Sequence, residues 1–209
     1  MLQHFLYSFV TLFVIIDPVG NAAVFLGLMR GIPQRLRRAY AVRGVLIATL
    51  LILVFAVAGA PLLSALGITL PAFRIAGGIL LFLLATEMVF ARESGIRRPT
   101  APEEKETEHR SDVSVFPLAF PLLAGPGALT SIVLLMGRAG SPLAAAGVIA
   151  ALAAIMLLTL VLLIAAAQVM RLLGVTGVNV VSRALGVILA ALAAQLVLDG
   201  LADGVLRRF

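Results

Sequence analysis

Six long apolar runs, separated by turn residues and charge, alternate along the chain. A helix needs ~20 apolar residues to cross the ~30 Å hydrocarbon core of a bilayer, so each run predicts a membrane span. Span one covers about Leu6 to Met29 and is interrupted at Asp17-Pro18-Val19-Gly20-Asn21. After a basic connector, Arg30 to Arg43, span two runs from about Val45 to Leu66 and span three from about Phe73 to Ala91. Arg92 to Asp112 is the long polar segment; its Pro99-Thr100-Ala101-Pro102 and Glu103-Glu104-Lys105-Glu106 read as a solvated linker. Span four, about Phe116 to Met136, contains Pro117, Pro121 and Pro126. Spans five and six follow, at about Leu143 to Met170 and Val178 to Leu201. The expected fold class is all-α, a polytopic helical bundle forming a single transmembrane domain over residues 1–209.

Composition removes the rivals. Hydrophobic residues make up 62% of the chain and charged residues 12%, with a mean hydropathy of +1.14. Soluble domains carry about 25% charged residues. The net charge of +6 would suggest nucleic acid in a soluble protein. Here the arginines lie between apolar runs without interleaved aromatic residues, so the expected partner is the lipid bilayer and not nucleic acid. Cysteine is absent, which excludes disulfides and thiolate metal sites. His4 and His109 cannot form a metal site unaided, and no metal or cofactor is expected. The first run lacks a basic n-region and outlasts a cleavable signal, so it reads as a mature span.

Charge also orients the bundle. Arg30, Arg35, Arg37, Arg38, Arg43, the basic residues of the long segment and Arg171 fall on one side. Arg74, Arg138, Arg207 and Arg208 fall on the other. The positive-inside rule then puts both termini outside and the long loop in the cytoplasm.

The halves resemble each other. At an offset of 107, Phe13 meets Phe120, Gly20 meets Gly127, and Leu66-Gly67-Ile68-Thr69 meets Leu173-Gly174-Val175-Thr176. At an offset of 109, Arg74 meets Arg183 and Gly77 meets Gly186. Repeat one is about residues 1–91, the linker 92–112 and repeat two 113–209. Three spans per half give opposite membrane orientations, the inverted repeat common in secondary transporters.

Two interruptions occupy matching places. Asp17 lies near the middle of span one, where a carboxylate costs ~2.5–3.5 kcal/mol on insertion scales. Pro18 removes a backbone donor, Gly20 adds freedom and Asn21 can cap a new helix start. The counterpart in span four is Ala124-Gly125-Pro126-Gly127-Ala128-Leu129-Thr130, followed by Ser131. Paired broken helices point to a substrate site whose half-helix N-termini suit a carboxylate. The candidate substrate-binding residues are therefore Asp17, Pro18, Gly20, Asn21, Gly125, Gly127, Thr130 and Ser131. Arg74 and Arg183, near the starts of spans three and six, are gating or ion-pair candidates, with Asp17 a candidate partner. Gln195 needs a hydrogen-bond partner at its depth, whereas Glu87 and Asp199 are expected to be wetted at the two interfaces. Gly27-x-x-x-Gly31 and Gly200-x-x-x-Gly204 match a helix-contact pattern. No H-E-x-x-H, G-x-S-x-G, Walker lysine or paired intramembrane carboxylates are present, so an enzyme or ATP-driven pump is not expected.

At Asp17-Pro18-Val19-Gly20-Asn21, Ala124 to Thr130 and Arg183 to Asp199, the chain resembles the signature blocks of the MarC family over essentially its whole length. Where relatives often carry Pro two residues after the Asn, this chain has Ala23. The resemblance implies a bacterial or archaeal inner-membrane protein, in a family with members described as small neutral amino acid transporters. LysE-type exporters are more distant relations. The resulting expectation is a secondary transporter of a small zwitterionic solute, such as glycine or alanine. The half-helix ends would hold the carboxylate, and Asp17 the ammonium group or a coupling proton. Sodium is the other coupling candidate. The rivals are an exporter of another small metabolite or ion, and a non-transporting membrane scaffold. Oligomeric state is open.

Overall fold

The computed structural model describes residues 2–29, 31–90 and 113–204; the polar linker with His109, and Arg30, Arg207 and Arg208, lie outside them. Among the described residues there are eight helical segments and no strand: α1 (Leu2–Ile16), α2 (Pro18–Leu28), α3 (Gln34–Ala65), α4 (Leu70–Phe90), α5 (Ser114–Leu123), α6 (Pro126–Gly137), α7 (Pro142–Ile164) and α8 (Ala166–Gly204). Five stretches are long and apolar enough to cross a membrane, α1 and α2 counting as one, and α5 with α6, bent by 55°, makes a sixth.

The clearest sign of a lipid solvent is where large side chains point. On α3 the inward residues are mostly small: Ala41, Gly44, Ala48, Ala56 and Gly59 are buried. Leu46, Leu50, Val54 and Val57 are 50–73% exposed. Water would reverse this pattern. In a bilayer, outward leucines meet lipid tails, and small residues let helix backbones approach. At 32 residues α3 is about 48 Å long, more than the ~30 Å core needs. Its start, with Arg35, Arg37 and Arg38, is basic, so the predicted connector is itself helical from Gln34.

Packing between the halves is reciprocal. Span one packs on α7, α3 packs on α5 and α6, and α4 lies along α8 in the most extensive of these contacts. Glycine makes that last approach close. A Cβ at Gly78 would sit 2.9 Å from the Ala193 carbonyl oxygen, and one at Gly200 would sit 2.9 Å from that of Pro71. Gly186 is tight against Met88, whereas Gly77 meets the Thr130 methyl on α6. Gly67 and Gly174, aligned by the 107-residue offset, both adopt left-handed backbone, with φ of +68° and +65°. Glycine reaches that region without the clash a Cβ brings.

Several expected boundaries move. Span five ends at Ile164, not Met170, because α8 already starts at Ala166 and turns at Gly174. Span four is broken at Gly125-Pro126 as expected, but its first half is itself irregular. Phe116 and Phe120, each preceding a proline, are extended (φ −133°), as steric conflict with the proline ring favours. A Cβ at Gly27 or Gly31 would meet nothing within 4 Å, so that motif is not a contact, while the Gly200 motif is. Glu87 is buried at 9% exposure instead of wetted.

Candidate functional site

The first break is tight. Asp17 takes a left-handed conformation (φ 48°, ψ 67°), and α2 starts at once at Pro18, ahead of the expected start near Asn21. Pro18 at the first helical position has no N–H to leave orphaned. Asp17 Oδ1 accepts the Gly20 N–H at 3.0 Å. Its Oδ2 accepts from Ser182 Oγ of α8 at 3.1 Å. Asn21 Nδ2 donates to the Ile16 carbonyl at 2.5 Å, satisfying a group that the break exposes. Asp17 is 1% and Asn21 2% exposed. The N-terminus of α2 is thus filled by the chain's own carboxylate and does not lie open for a ligand anion. Asn21 Oδ1 is buried with no hydrogen-bond partner.

The second break differs. Gly125 is extended (φ −68°, ψ 170°), Pro126 opens α6, and no side chain caps it. A Cβ on Gly125 would lie 2.5 Å from the Pro121 carbonyl oxygen, so only glycine fits this approach. Gly127 and Ala128 follow in the first turn, where N–H groups lack intrahelical acceptors and the helix dipole is positive. Farther along α6, Thr130 is 6% and Ser131 3% exposed, and Ser131 Oγ has no hydrogen-bond partner.

Ile15, two residues before the first break, has its side chain 3.6 Å from where a Gly127 Cβ would be. Ile15 borders two small cavities, and Asp17, Pro18, Gly20 and Asn21 border neither. One, about 20 Å³, is bordered by Leu84, Gly125, Gly127 and Ala128. The other, about 40 Å³, is bordered by Tyr7, Thr11, Ser131, Arg138 and Gln195. Water occupies ~10–15 Å³ on this measure, and small-molecule sites span ~300–1,000 Å³. Each cavity is therefore roomy enough for water but too small for an amino acid.

The larger cavity ends at a polar cluster. Arg138 donates to the Tyr7 hydroxyl at 3.1 Å and to Asp199 at 2.7 Å, while Gln195 donates to Asp199 at 2.6 Å. Beside it, Arg74 pairs with Asp203 at 2.7 Å. Gln195 finds the hydrogen-bond partner it needs in Asp199. Asp199 is an ion-pair partner and not simply a wetted carboxylate. The suggested pairing of Asp17 with Arg74 or Arg183 is not what forms: Arg74 binds Asp203, and Arg183 is exposed with no ion pair among the described residues. Arg138, Tyr7 and Ser182 were not anticipated. A usable signal existed, since Asp199 and Asp203 are spaced i, i+4 on one face of α8, at the end of the bundle holding Arg74 and Arg138.

The sequence profile described as "MarC family integral membrane protein" matches residues 2–205. The chain belongs to the MarC family. Among MarC relatives, a UPF0056 membrane protein of Archaeoglobus fulgidus is 36% identical over 203 residues, covering 97% of this chain and 94% of that protein. The UPF0056 membrane protein YvbG of Bacillus subtilis is 31% identical over 201 residues, 96% of this chain and 95% of the relative. The UPF0056 inner membrane protein YhgN of Escherichia coli is 36% identical over 192 residues, 92% of this chain and 93% of the relative. No solved structure matches. This MarC protein is a multi-pass integral membrane protein.

Proposed function

We propose that this MarC protein is a secondary transporter of small neutral amino acids of glycine or alanine size. The observation that carries the reading is the presence of two unlike helix breaks, with Ile15, two residues before the first, beside Gly127 of the second. One break offers acceptors, the Asp17 carboxylate and the unpartnered Asn21 Oδ1. The other offers donors, the uncapped first turn of α6, with the unpartnered Ser131 hydroxyl beyond it. One set of acceptors and one set of donors suit the two ends of a zwitterion. Because Asp17 fills the α2 terminus, the substrate carboxylate belongs at α6, and Asp17 is left for the ammonium group or a coupling proton or sodium ion.

Cavities too small for the substrate fit one state of an alternating-access cycle, with the Arg138–Asp199 cluster as the outer gate. The reciprocal packing and the matched Gly67 and Gly174 support an inverted repeat. The arginine distribution supports outward termini and a cytoplasmic linker, as in an inner membrane.

The test is uptake of labelled alanine and glycine by proteoliposomes under imposed proton or sodium gradients. Saturable gradient-driven uptake that Ser131→Ala and Asp17→Asn each reduce at least tenfold is the expected result. Absence of uptake for both solutes sinks the substrate assignment. A scaffold predicts that cells tolerate both substitutions without any change in solute flux.

A further inference from the structure

At the opposite end of the bundle, where α2 and α7 finish and α3 and α8 begin, a cavity of about 720 Å³ opens. It is within the ~300–1,000 Å³ range of small-molecule sites. Arg35, Arg37 and Arg38 of α3 and Arg171 of α8 surround it, and Phe25 and Leu163 form part of its apolar wall. Arg37 Nε is engaged by the Ile32 carbonyl at 2.7 Å. Arg35, Arg38 and Arg171 are exposed and form no ion pair among the described residues, and no carboxylate is among the described residues lining the cavity. Gln34 also borders it, so the uncapped first turn of α3 contributes its positive end. Ile164, 39% exposed, carries the apolar lining to the lipid-facing surface.

We propose that this cavity holds the phosphate-bearing headgroup of an anionic phospholipid. Guanidinium groups match phosphate oxygens bidentately, and basic pockets between membrane helices suit such headgroups. Topology explains the sign of the charge at this end. It does not explain why arginines from two separate connectors gather, without carboxylates, around one cavity with an apolar wall. A free phosphate ion would use the arginines but leave that wall unused.

Purified full-length protein in mild detergent is exchanged with phosphatidylglycerol or phosphatidylcholine, and retained lipid is counted by native mass spectrometry. Phosphatidylglycerol is retained preferentially. Arg35→Gln, Arg38→Gln and Arg171→Gln each weaken retention about fivefold. Arg183→Gln, an exposed arginine outside the cavity, leaves retention unchanged. A triple Arg→Lys variant of the three cavity positions, which keeps the charge but loses the bidentate fork, retains phosphatidylglycerol less than the wild type and more than the triple Gln variant, and circular dichroism checks that the Gln variants stay helical. Equal retention of phosphatidylcholine, displacement of the lipid by millimolar inorganic phosphate, or undiminished retention in a helical triple Gln variant overturns the assignment.

Discussion

Replacing Asp17 separates the structural from the electrical role of a carboxylate that is 1% exposed. Asp17→Ala removes the cap on the Gly20 N–H, worth about 1 kcal/mol. It puts a residue with no local hydrogen bond into left-handed backbone, at a cost of about 1–2 kcal/mol. It also deprives Ser182 Oγ of its acceptor, worth about 1 kcal/mol in a partly buried setting. The combined loss is about 3–4 kcal/mol. For a chain of this size that lowers the melting temperature by roughly 6–16 °C. Asp17→Asn keeps the shape, tolerates left-handed backbone and caps as well as Asp does. It also removes the desolvation cost of a buried anion, so its melting point stays within about 3 °C of the wild type. Melting followed by size-exclusion fluorescence in detergent reads both. If the Ala variant melts with the wild type, the cap argument is wrong. If the stable Asn variant transports normally, Asp17 carries no coupling charge and acts only as a helix cap.

The α4–α8 seam predicts opposite signs for one substitution at two glycines. Gly200→Ala forces a Cβ to 2.9 Å from the Pro71 carbonyl and destabilises by ~1–3 kcal/mol, whereas Gly27→Ala, in open space, gains ~0.5–1 kcal/mol; equal melting shifts would refute the packing account. Opening the polar cluster with Arg138→Ala changes stability by less than about 1 kcal/mol, because both partners are about one-third exposed. The same change should raise the labelling rate of a Ser131→Cys probe by an impermeant maleimide added outside, and an unchanged rate removes the cluster as a gate. The chain has no native cysteine to confuse such probes. A cysteine at the exposed Gly140 should react from outside in intact cells, and protection there would invert the proposed orientation.

The membrane spans were legible because lipid imposes length and hydropathy on every one of them. Both breaks were legible too, since Asp17-Pro18 and Gly125-Pro126 interrupt apolar runs with residues that disturb helical hydrogen bonding. What each break does was not. Whether Asp17 leaves its helix end open or fills it depends on its χ angles and on Ser182, 165 residues away in sequence. Periodicity carries no information about such a contact. Arg74 and Arg183 looked equivalent by offset, yet one is buried against Asp203 and the other is exposed, because a repeat preserves backbone placement more readily than partners. The irregular first half of span four went unread for a local reason. Phe116 and Phe120 obey the proline that follows each of them, and an apolar window does not register that restriction.

Glycine along the α4–α8 contact has a kinetic side. Gly78, Gly186 and Gly200 bring no side-chain rotamers to be frozen when the helices meet, but each is a notch for a branched side chain of the partner helix: Val197 at Gly78, Val89 at Gly186 and Ile75 at Gly200. A knob seated in a notch must leave it before one helix moves along the other, so the contact resists sliding in either direction. The most extensive helix contact in the bundle is therefore a lock on register, holding the Asp199 and Asp203 carboxylates opposite the arginines that bind them.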